Sequence, residues 1–424
     1  MKWAILVMVL AVAGGLSATE LLESRGAEAR ETDRAAGPSP ASPAAQADCG
    51  STIARTLARV AHNMFTNDLS GEGARATIRG LTNSRRLAAA VAAGDPAATR
   101  SALGPFIAGR LVRIRVYGAA GLLTELGHEP SVGPVSGLIT GGQSQPVGHF
   151  VMSVQGQKGF YLLLKSLGGE QVVLTQNGRR LAGTMPAPSS GFPDAGRIAA
   201  AGVAYDTVSF QLRAIPGPIR VSILVPVGQR GLCGATPADT VTNVVGRIAT
   251  NIYGGELSSP NTKAANARIA GSRAFVRAVS LGDAAAVQAA VRHDLFATRL
   301  HIVRVRATLG GRLVNDVGGP YALAPVTRPL RVGGRVIGNY SFSIQDDAGF
   351  LKLMARYARA EVTMSTAAGV VMSSLTPPPA NVPDRGRVSY LGGLYQAYSF
   401  GATRFPGGSL RISLMIPLSQ YGLS

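Results

Sequence analysis

The chain has 424 residues, of which 46% are apolar, and its formal net charge is +19. This length and apolar content allow a buried core in each of two or more domains, and they exclude a fibrous or wholly disordered protein. The positive charge permits a polyanionic partner, but the arginines form no blocks and are not interleaved with aromatic residues, so nucleic-acid binding is not expected.

The N-terminal segment has the pattern of a secretory signal. Lys2 precedes an apolar run at residues 3–13, and small residues follow this run. The pattern predicts export, with residues 1–18 either removed as a signal peptide or retained as a membrane anchor. Residues 19–48 are rich in Glu, Arg, Ala, Pro and Ser, and this composition predicts a disordered tether.

The rest of the chain repeats itself. Residues 147–164, VGHFVMSVQGQKGFYLLL, match residues 337–354, IGNYSFSIQDDAGFLKLM, with Gly, Ser, Gln, Gly and Phe at the same spacing. Further matches precede and follow this pair in the same order. The repetition predicts two copies of one domain, at residues 49–232 and 233–424, and we expect each copy to have its own core.

Each copy begins with helical patterns and continues with strands. Apolar residues recur at helical spacing at Ile53, Leu57, Val60, Met64 and Phe65 and at Val241, Val245, Ile248 and Ile252. A second helix precedes Gly94 in one copy and Gly282 in the other. Alternating apolar and polar residues then predict strands, interrupted by short helices at residues 159–167 and 349–357. Helices segregated from hairpin-connected strands indicate an α+β fold with an antiparallel sheet.

The second copy resembles a known family. The segments VNDVGGPYALAPV, GRVIGNYSFSIQDDAGFLKL and YSFGATRFPGGSLRISLMIPL, within residues 264–420, are similar to the Cache-type extracytoplasmic sensor domains, also called PDC sensors. The resemblance implies two tandem PAS-like domains, each an antiparallel sheet with a long N-terminal helix on one face and a small-molecule pocket on the other. Members of this family usually also carry a membrane helix and a cytoplasmic signalling module, and neither is visible in this sequence.

Strand alternation selects the residues expected to line these pockets. Phe150 and Met152 share one face of their strand, whereas His149, Ser153 and Gln155 share the other. Arg, Tyr and Ser side chains of matching parity in other strands would converge with them and suit a carboxylate or an amino acid. The predicted ligand-binding residues are Arg115, His149, Ser153, Gln155, Tyr205, Ser209, Arg304, Asn339, Ser343, Gln345, Tyr395 and Ser399. A solvated polar face is the alternative interpretation, and the two copies need not share a ligand.

Enzyme signals are missing from the sequence. The chain contains neither a G-x-S-x-G elbow nor a P-loop, and its histidines include no pair at metal-ligand spacing. We therefore predict no catalytic residues, no cofactor and no metal site. The predicted function is an exported, non-enzymatic sensor, secreted or anchored outside the cytoplasmic membrane, that could signal through a membrane partner. The alternative is a structural or adhesive envelope protein that uses a duplicated scaffold and an Arg-rich surface.

The two cysteines, Cys49 and Cys233, lie at the two ends of the first copy. In an oxidising compartment this placement favours a disulfide that ties the start of the domain to its end. Two free buried thiols or intermolecular pairing are the alternatives.

Overall fold

The computed structural model describes residues 43–107, 111–127, 129–142, 145–168, 171–183, 185, 191–229, 231–298, 300–320 and 323–423. The helices are α1 (Pro43–Ser70), α2 (Glu72–Thr82), α3 (Arg85–Ala92), α4 (Pro96–Ile107), α5 (Gln157–Gly168), α6 (Pro237–Ser258), α7 (Pro260–Gly271), α8 (Arg273–Ser280), α9 (Ala284–Ala290) and α10 (Asp347–Tyr357). A π-helical turn, Val291–Leu295, follows α9, and a 3₁₀ turn, Leu418–Tyr421, follows the last strand. Of the helices in these ranges, none is both long and apolar enough to cross a membrane.

The strands fall into two matching series, one before and one after α6. The first series is β1 (Arg113–Gly118), β2 (Gly121–Leu126), β3 (Ser131–Val132), β4 (Val135–Thr140), β5 (Pro146–Ser153), β6 (Gln155–Gly156), β7 (Gln171–Gln176), β8 (Arg179–Ala182), β9 (Ala195–Ala200), β10 (Val203–Leu212), β11 (Ala214–Ile215) and β12 (Ile219–Pro226). The second series is β13 (Arg304–Leu309), β14 (Arg312–Gly318), β15 (Val326–Val332), β16 (Arg335–Ser343), β17 (Glu361–Thr366), β18 (Gly369–Ser373), β19 (Arg385–Tyr390), β20 (Gly393–Thr403) and β21 (Ser409–Pro417). We call residues 43–232 the first half and residues 233–423 the second half.

Each half contains a four-stranded and a five-stranded sheet. The orders are β2-β1-β5-β4 and β8-β7-β12-β10-β9 in the first half, and β14-β13-β16-β15 and β18-β17-β21-β20-β19 in the second. Their pairings are antiparallel, so the α+β class with antiparallel sheets is confirmed. Where one central sheet per copy was expected, the strands form these separate sheets, and the first half also contains a three-stranded sheet, β11-β3-β6.

Three short helices cover one face of each four-stranded sheet. In the first half, Leu87 and Leu103 from α3 and α4 pack against Ile114, Phe150 and Met152 of the sheet. In the second half α7, α8 and α9 make the equivalent core with β13 and β16. The turns after α3 and α8 use Gly94 and Gly282 with φ of +66° and +68°. These are left-handed conformations that strain any residue with a side chain, so both glycines end their helices as predicted.

Each half has a core of its own at its four-stranded sheet, as expected, but the two five-stranded sheets share one core. This core contains residues of α1, α5, α6 and α10 and of both five-stranded sheets. Two reciprocal hydrogen bonds join the halves across it. Asn63 Nδ2 in α1 donates to Tyr357 O in α10 at 2.9 Å, and Asn251 Nδ2 in α6 donates to Leu167 O in α5 at 2.9 Å. Because long helices pack on each other as well as on sheets, the halves cannot bury their apolar faces independently.

Helix α1 begins earlier than the sequence indicates. Residues 43–48 belong to the predicted tether, yet they are helical. The remainder of that tether, and the signal segment at residues 1–18, lie outside the described residues. Cys49 in α1 forms a disulfide with Cys233, at a Cα–Cα distance of 5.7 Å, and this bridge fastens α1 to the segment that leads into α6.

Gly246 sets how closely α6 approaches its sheet. A Cβ atom at this buried position would lie 2.2 Å from the ring of Tyr398 in β20, whereas a Cβ at Gly254 of the same helix would meet nothing within 4 Å. We therefore expect Gly246→Ala to lower the free energy of unfolding by about 1–3 kcal/mol through overpacking. Gly254→Ala is expected to raise it by about 0.5–1 kcal/mol, since alanine loses less backbone entropy in a helix. Denaturant unfolding of both variants checks the pair, and equal effects would contradict the close approach.

Candidate functional site

Arg115 and His149 lie on the uncovered face of the first four-stranded sheet. Arg115 Nε is 3.0 Å from Glu125 Oε1 on the adjacent strand, and Arg113 donates to the same oxygen from its Nε at 2.7 Å. The exposed His149 ring stacks on Tyr117 with their centroids 4.6 Å apart. The Glu125 carboxylate therefore already occupies the guanidinium group that was predicted to hold a ligand carboxylate.

The charges of this cluster stabilise each other. The hydrogen bond to Glu125 raises the pKa of Arg115 above its usual value. Desolvation pushes the pKa of Glu125 upward, but hydrogen bonds and charges from Arg113 and Arg115 outweigh it and leave that pKa below its usual value. Arg115 and Glu125 are thus both charged near neutral pH.

The second half repeats this arrangement with different residues. Arg304 donates from Nε to Asp316 Oδ1 and from Nη2 to Asp316 Oδ2, each at 2.8 Å. Arg306 Nη1 lies 3.4 Å from Asp316 Oδ2. The Arg304 guanidinium also lies over the ring of Phe405, 4.3 Å from its centroid, and so contacts the loop between β20 and β21. Asn339 is exposed on β16. Arg304 therefore links the four-stranded sheet to the five-stranded one.

The predicted open polar face does not extend to Ser153, Gln155 and Ser343, which are all buried. Ser153 Oγ donates to the carbonyl oxygens of Val132 and Gln155, and Ser343 Oγ donates to Leu323 O at 2.8 Å. Each serine ends its strand where the chain leaves the sheet, so its hydroxyl satisfies backbone carbonyls of the crossing segments. Gln345, just beyond Ser343, is half-buried next to Gly349 at the start of α10.

The remaining predicted residues lie on the five-stranded sheets, on the face away from α1 and α6. Tyr205 packs with Phe192 and three other apolar residues, and Tyr395 packs beside Val382. Ser209 Oγ donates to Ser222 Oγ at 2.9 Å, and Ser399 Oγ donates to Ser413 Oγ at 2.8 Å. The expected convergence of all predicted residues over one sheet is therefore wrong, because they are divided among different sheets in each half.

An arginine holds the loop that crosses this face in each half. Arg220 Nη2 donates to Phe192 O at 2.7 Å and pairs with Asp194 at 2.6 Å. In the second half Arg411 Nη2 donates to Val382 O at 2.6 Å and pairs with Asp384 at 2.8 Å. This clamp was not predicted, although the repeated segments FPDAGR and VPDRGR, which run into the first residues of β9 and β19, are its signal in the sequence.

A charged cleft of about 310 Å³ lies between α1 and the hairpin of β9 and β10. Its lining residues are Ser51, Arg55, Ala195, Gly196, Arg197, Asp206, Thr207 and Val208. The volume is that of a small-molecule site, since ligand clefts start at roughly 300 Å³. None of the predicted ligand-binding residues lines it.

Asp206 is the most buried charge of this cleft. Asp206 is 6% exposed, and its Oδ1 lies 3.1 Å from Nε of Arg197 on the neighbouring strand. A Cβ at Gly50 would lie 2.0 Å from Asp206 Oδ2, so the glycine lets the carboxylate rest against α1. Arg55 Nη2 donates to Ser51 Oγ at 3.2 Å on the helical wall. Two guanidinium groups and one carboxylate thus line the cleft, leaving a net positive charge around the opening.

The second half has a different chemistry at the matching place. Gln396 occupies the position of Asp206 in the repeated segment YQAYSF, and its Nε2 donates to Asp239 Oδ1 in α6 at 2.8 Å. The strand partner of Gln396 is Arg387, as Arg197 is the partner of Asp206. The first half therefore has an opposite-charge pair, Asp206 and Arg197, where the second half has Gln396 and Arg387. The sequence signal for this pair was an acidic and a basic residue facing each other across a hairpin.

No protein-family model matches the chain, and no curated protein matches it in sequence. Among solved structures it is similar to the ligand-binding domain of the Pseudomonas fluorescens chemoreceptor CtaA in complex with L-alanine, at 13% identity over 40% of this chain and 93% of that one, with a TM-score of 0.25. It is also similar to the Vibrio cholerae LuxQ periplasmic domain, at 9% identity over 43% of this chain and 98% of that one, with a TM-score of 0.24. TM-scores of this size carry no argument about function.

Proposed function

We propose that this protein is a non-enzymatic binding protein for small zwitterionic or anionic molecules, with its ligand in the cleft between α1 and the β9–β10 hairpin. The cleft itself carries the proposal, because it combines about 310 Å³ of space with two arginines and a buried carboxylate. A guanidinium such as that of Arg197 matches a ligand carboxylate, and Asp206 matches a ligand ammonium group. An amino acid presents both groups.

The proposal extends to the place and organisation of the protein. The disulfide supports a position outside the cytoplasm, since such bridges persist in oxidising compartments. The matching order of strands supports two related domains, at residues 49–232 and 233–424, of the Cache type. A membrane signalling partner would respond to a ligand bound in the cleft through contact with α1, which forms one wall of the cleft.

Binding is tested by a thermal-shift screen with amino acids and simple carboxylates, followed by calorimetry on any ligand that raises the melting temperature. We expect Arg197→Ala to weaken binding about tenfold or more, the usual loss for a hydrogen bond to a charged group. The matched control is Arg387→Ala, which removes the equivalent arginine of the second half and is expected to leave the affinity unchanged.

Asp206→Asn separates the two ligand classes. We expect it to weaken amino-acid binding but to spare a simple carboxylate, because only the ammonium group requires the Asp206 charge. If no compound of either class stabilises the protein, or if Arg197→Ala binds as well as the unmodified chain, the cleft is not the binding site.

A further inference from the structure

Three loops meet at one end of the second four-stranded sheet. They are the α8–α9 turn at residues 281–283, the β13–β14 turn at residues 310–311 and the β15–β16 turn at residues 333–334. Gly310 N donates to Ile337 O at 2.9 Å, which holds the two hairpins side by side. A Cβ at Gly282 would lie 3.9 Å from Leu309 Cδ2, so the helical turn rests against the same end.

Apolar side chains project from this end into solvent. The exposed fractions are 69% for Leu281, 47% for Leu313, 43% for Val332 and 53% for Val336. Single exposed apolar residues are ordinary on protein surfaces, but four at the turn and strand ends of one edge of a sheet suggest a partner.

Three exposed arginines alternate with these apolar residues, namely Arg312, Arg331 and Arg335. We call the four apolar residues and these three arginines the tip. The three arginines outnumber the single acidic residue of the three turns, Asp283. The carboxylate of Asp283, in the α8–α9 turn, accepts the Ala286 amide at 2.9 Å as the cap of α9. Residues 260–345 as a whole contain twelve Lys and Arg but three Asp.

The tip is not a necessary product of the fold. At the same end of the first four-stranded sheet, β2 begins with Gly121 where β14 begins with Arg312, and Gln145 is the repeat equivalent of Arg335. The α3–α4 turn has Ala93 where the α8–α9 turn has Leu281. The same scaffold is therefore built without these arginines in the first half, although Leu122, the equivalent of Leu313, is exposed there as well.

We propose that the tip binds the surface of an anionic lipid bilayer. The arginines would contact lipid phosphates, and the leucines and valines would enter the boundary between headgroups and acyl chains. A soluble polyanion would also attract the arginines, but it would offer nothing to the four apolar side chains. Their interleaving with the arginines therefore favours lipid as the partner.

The experiment is co-sedimentation of the full chain with vesicles of phosphatidylcholine alone and with vesicles of equal parts phosphatidylcholine and phosphatidylglycerol. Binding to the neutral vesicles measures any contribution from the apolar segment at residues 3–13. We expect stronger binding to the anionic vesicles and a decrease in that binding with added salt.

Two double variants test the arginines and the valines of the tip separately. Arg331→Glu with Arg335→Glu is expected to weaken anionic-vesicle binding about 25-fold or more, since each arginine near an anionic surface contributes about fivefold. Val332→Ser with Val336→Ser is expected to weaken it about tenfold. The charge-matched control is Arg75→Glu with Arg79→Glu in α2, which makes the same change in net charge on the first half and is expected to leave binding unchanged.

Three outcomes overturn the proposal. Absence of a preference for anionic vesicles would exclude a lipid-binding tip. An equal loss in the α2 control would show that net charge alone drives the binding. If the serine variant binds as well as the unmodified chain while polyglutamate competes with the vesicles, the tip binds polyanions and not lipid. Unchanged thermal unfolding of each variant confirms that these exposed substitutions leave the fold intact.

Discussion

Replacing Cys49 and Cys233 with serine is expected to lower the free energy of unfolding by about 5 kcal/mol. The bridge closes a loop of 184 residues, and in the chain-entropy description the stabilisation grows with the logarithm of loop length. The loop contains nearly the whole first half, so the bridge restricts the unfolded chain over much of its length. It also fastens α1 beside α6, the two helices of the shared core.

Denaturant unfolding of the double variant, with and without dithiothreitol, measures this effect. Reductant should lower the stability of the unmodified protein to that of the variant and should leave the variant unchanged. An unmodified protein that is insensitive to reductant after unfolding and refolding in its presence would contradict the assigned stabilisation.

Glu256→Gln is expected to raise the free energy of unfolding by about 3 kcal/mol at alkaline pH. Glu256 lies near the end of α6 and is 5% exposed. The next residue, Leu257, packs against both the shared core and the core of the second four-stranded sheet. Burial raises the pKa of its carboxyl to about 7. Ionising this group inside the protein is costly, and glutamine removes that cost.

The pH dependence has a definite sign. Below the unfolded-state pKa, near 4.5, the carboxyl is protonated in both states and contributes nothing. Between that pH and about 7 the folded state binds more protons, so the stability of the unmodified protein falls as pH rises. Above about pH 7 the free energy of unfolding of the unmodified protein is lowered by the full cost of ionising Glu256. Unfolding curves of both proteins at about pH 4 and about pH 8 measure this effect. If Glu256→Gln raises the free energy of unfolding equally at both pH values, ionisation of Glu256 is not the cause.

Strand alternation identified the core residues of the central strands but not the limits of the sheets. Phe150, Met152 and Phe342 are fully buried, as their parity requires. Ser153 and Ser343 are buried as well, although their parity placed them on the polar face. Parity describes a residue inside a sheet, and these serines lie where the chain leaves one and bonds to crossing segments.

The charged cleft was hidden from pattern reasoning for a related reason. Asp206 shares the parity of Phe210, on the face of β10 that packs towards α1, where a charge is not expected. The carboxylate is tolerated there because Gly50 leaves room for it and Arg197 pairs with it. Gly50 gives no signal in the sequence because it lies on a helix about 150 residues earlier, so only Arg197, the cross-strand partner, could have indicated the pair.

By itself, the sequence determined the properties that depend on local spacing and composition. These are the similarity of segments about 190 residues apart, the apolar stripes of α1 and α6, the α+β class and the position of the two cysteines. Tertiary structure alone decided that each half divides its strands among several sheets, that the two five-stranded sheets share a core, and that Asp206 and the arginines form a cleft. Those features depend on hydrogen bonding and packing between distant segments, and free energies of that kind leave no periodic signature along the chain.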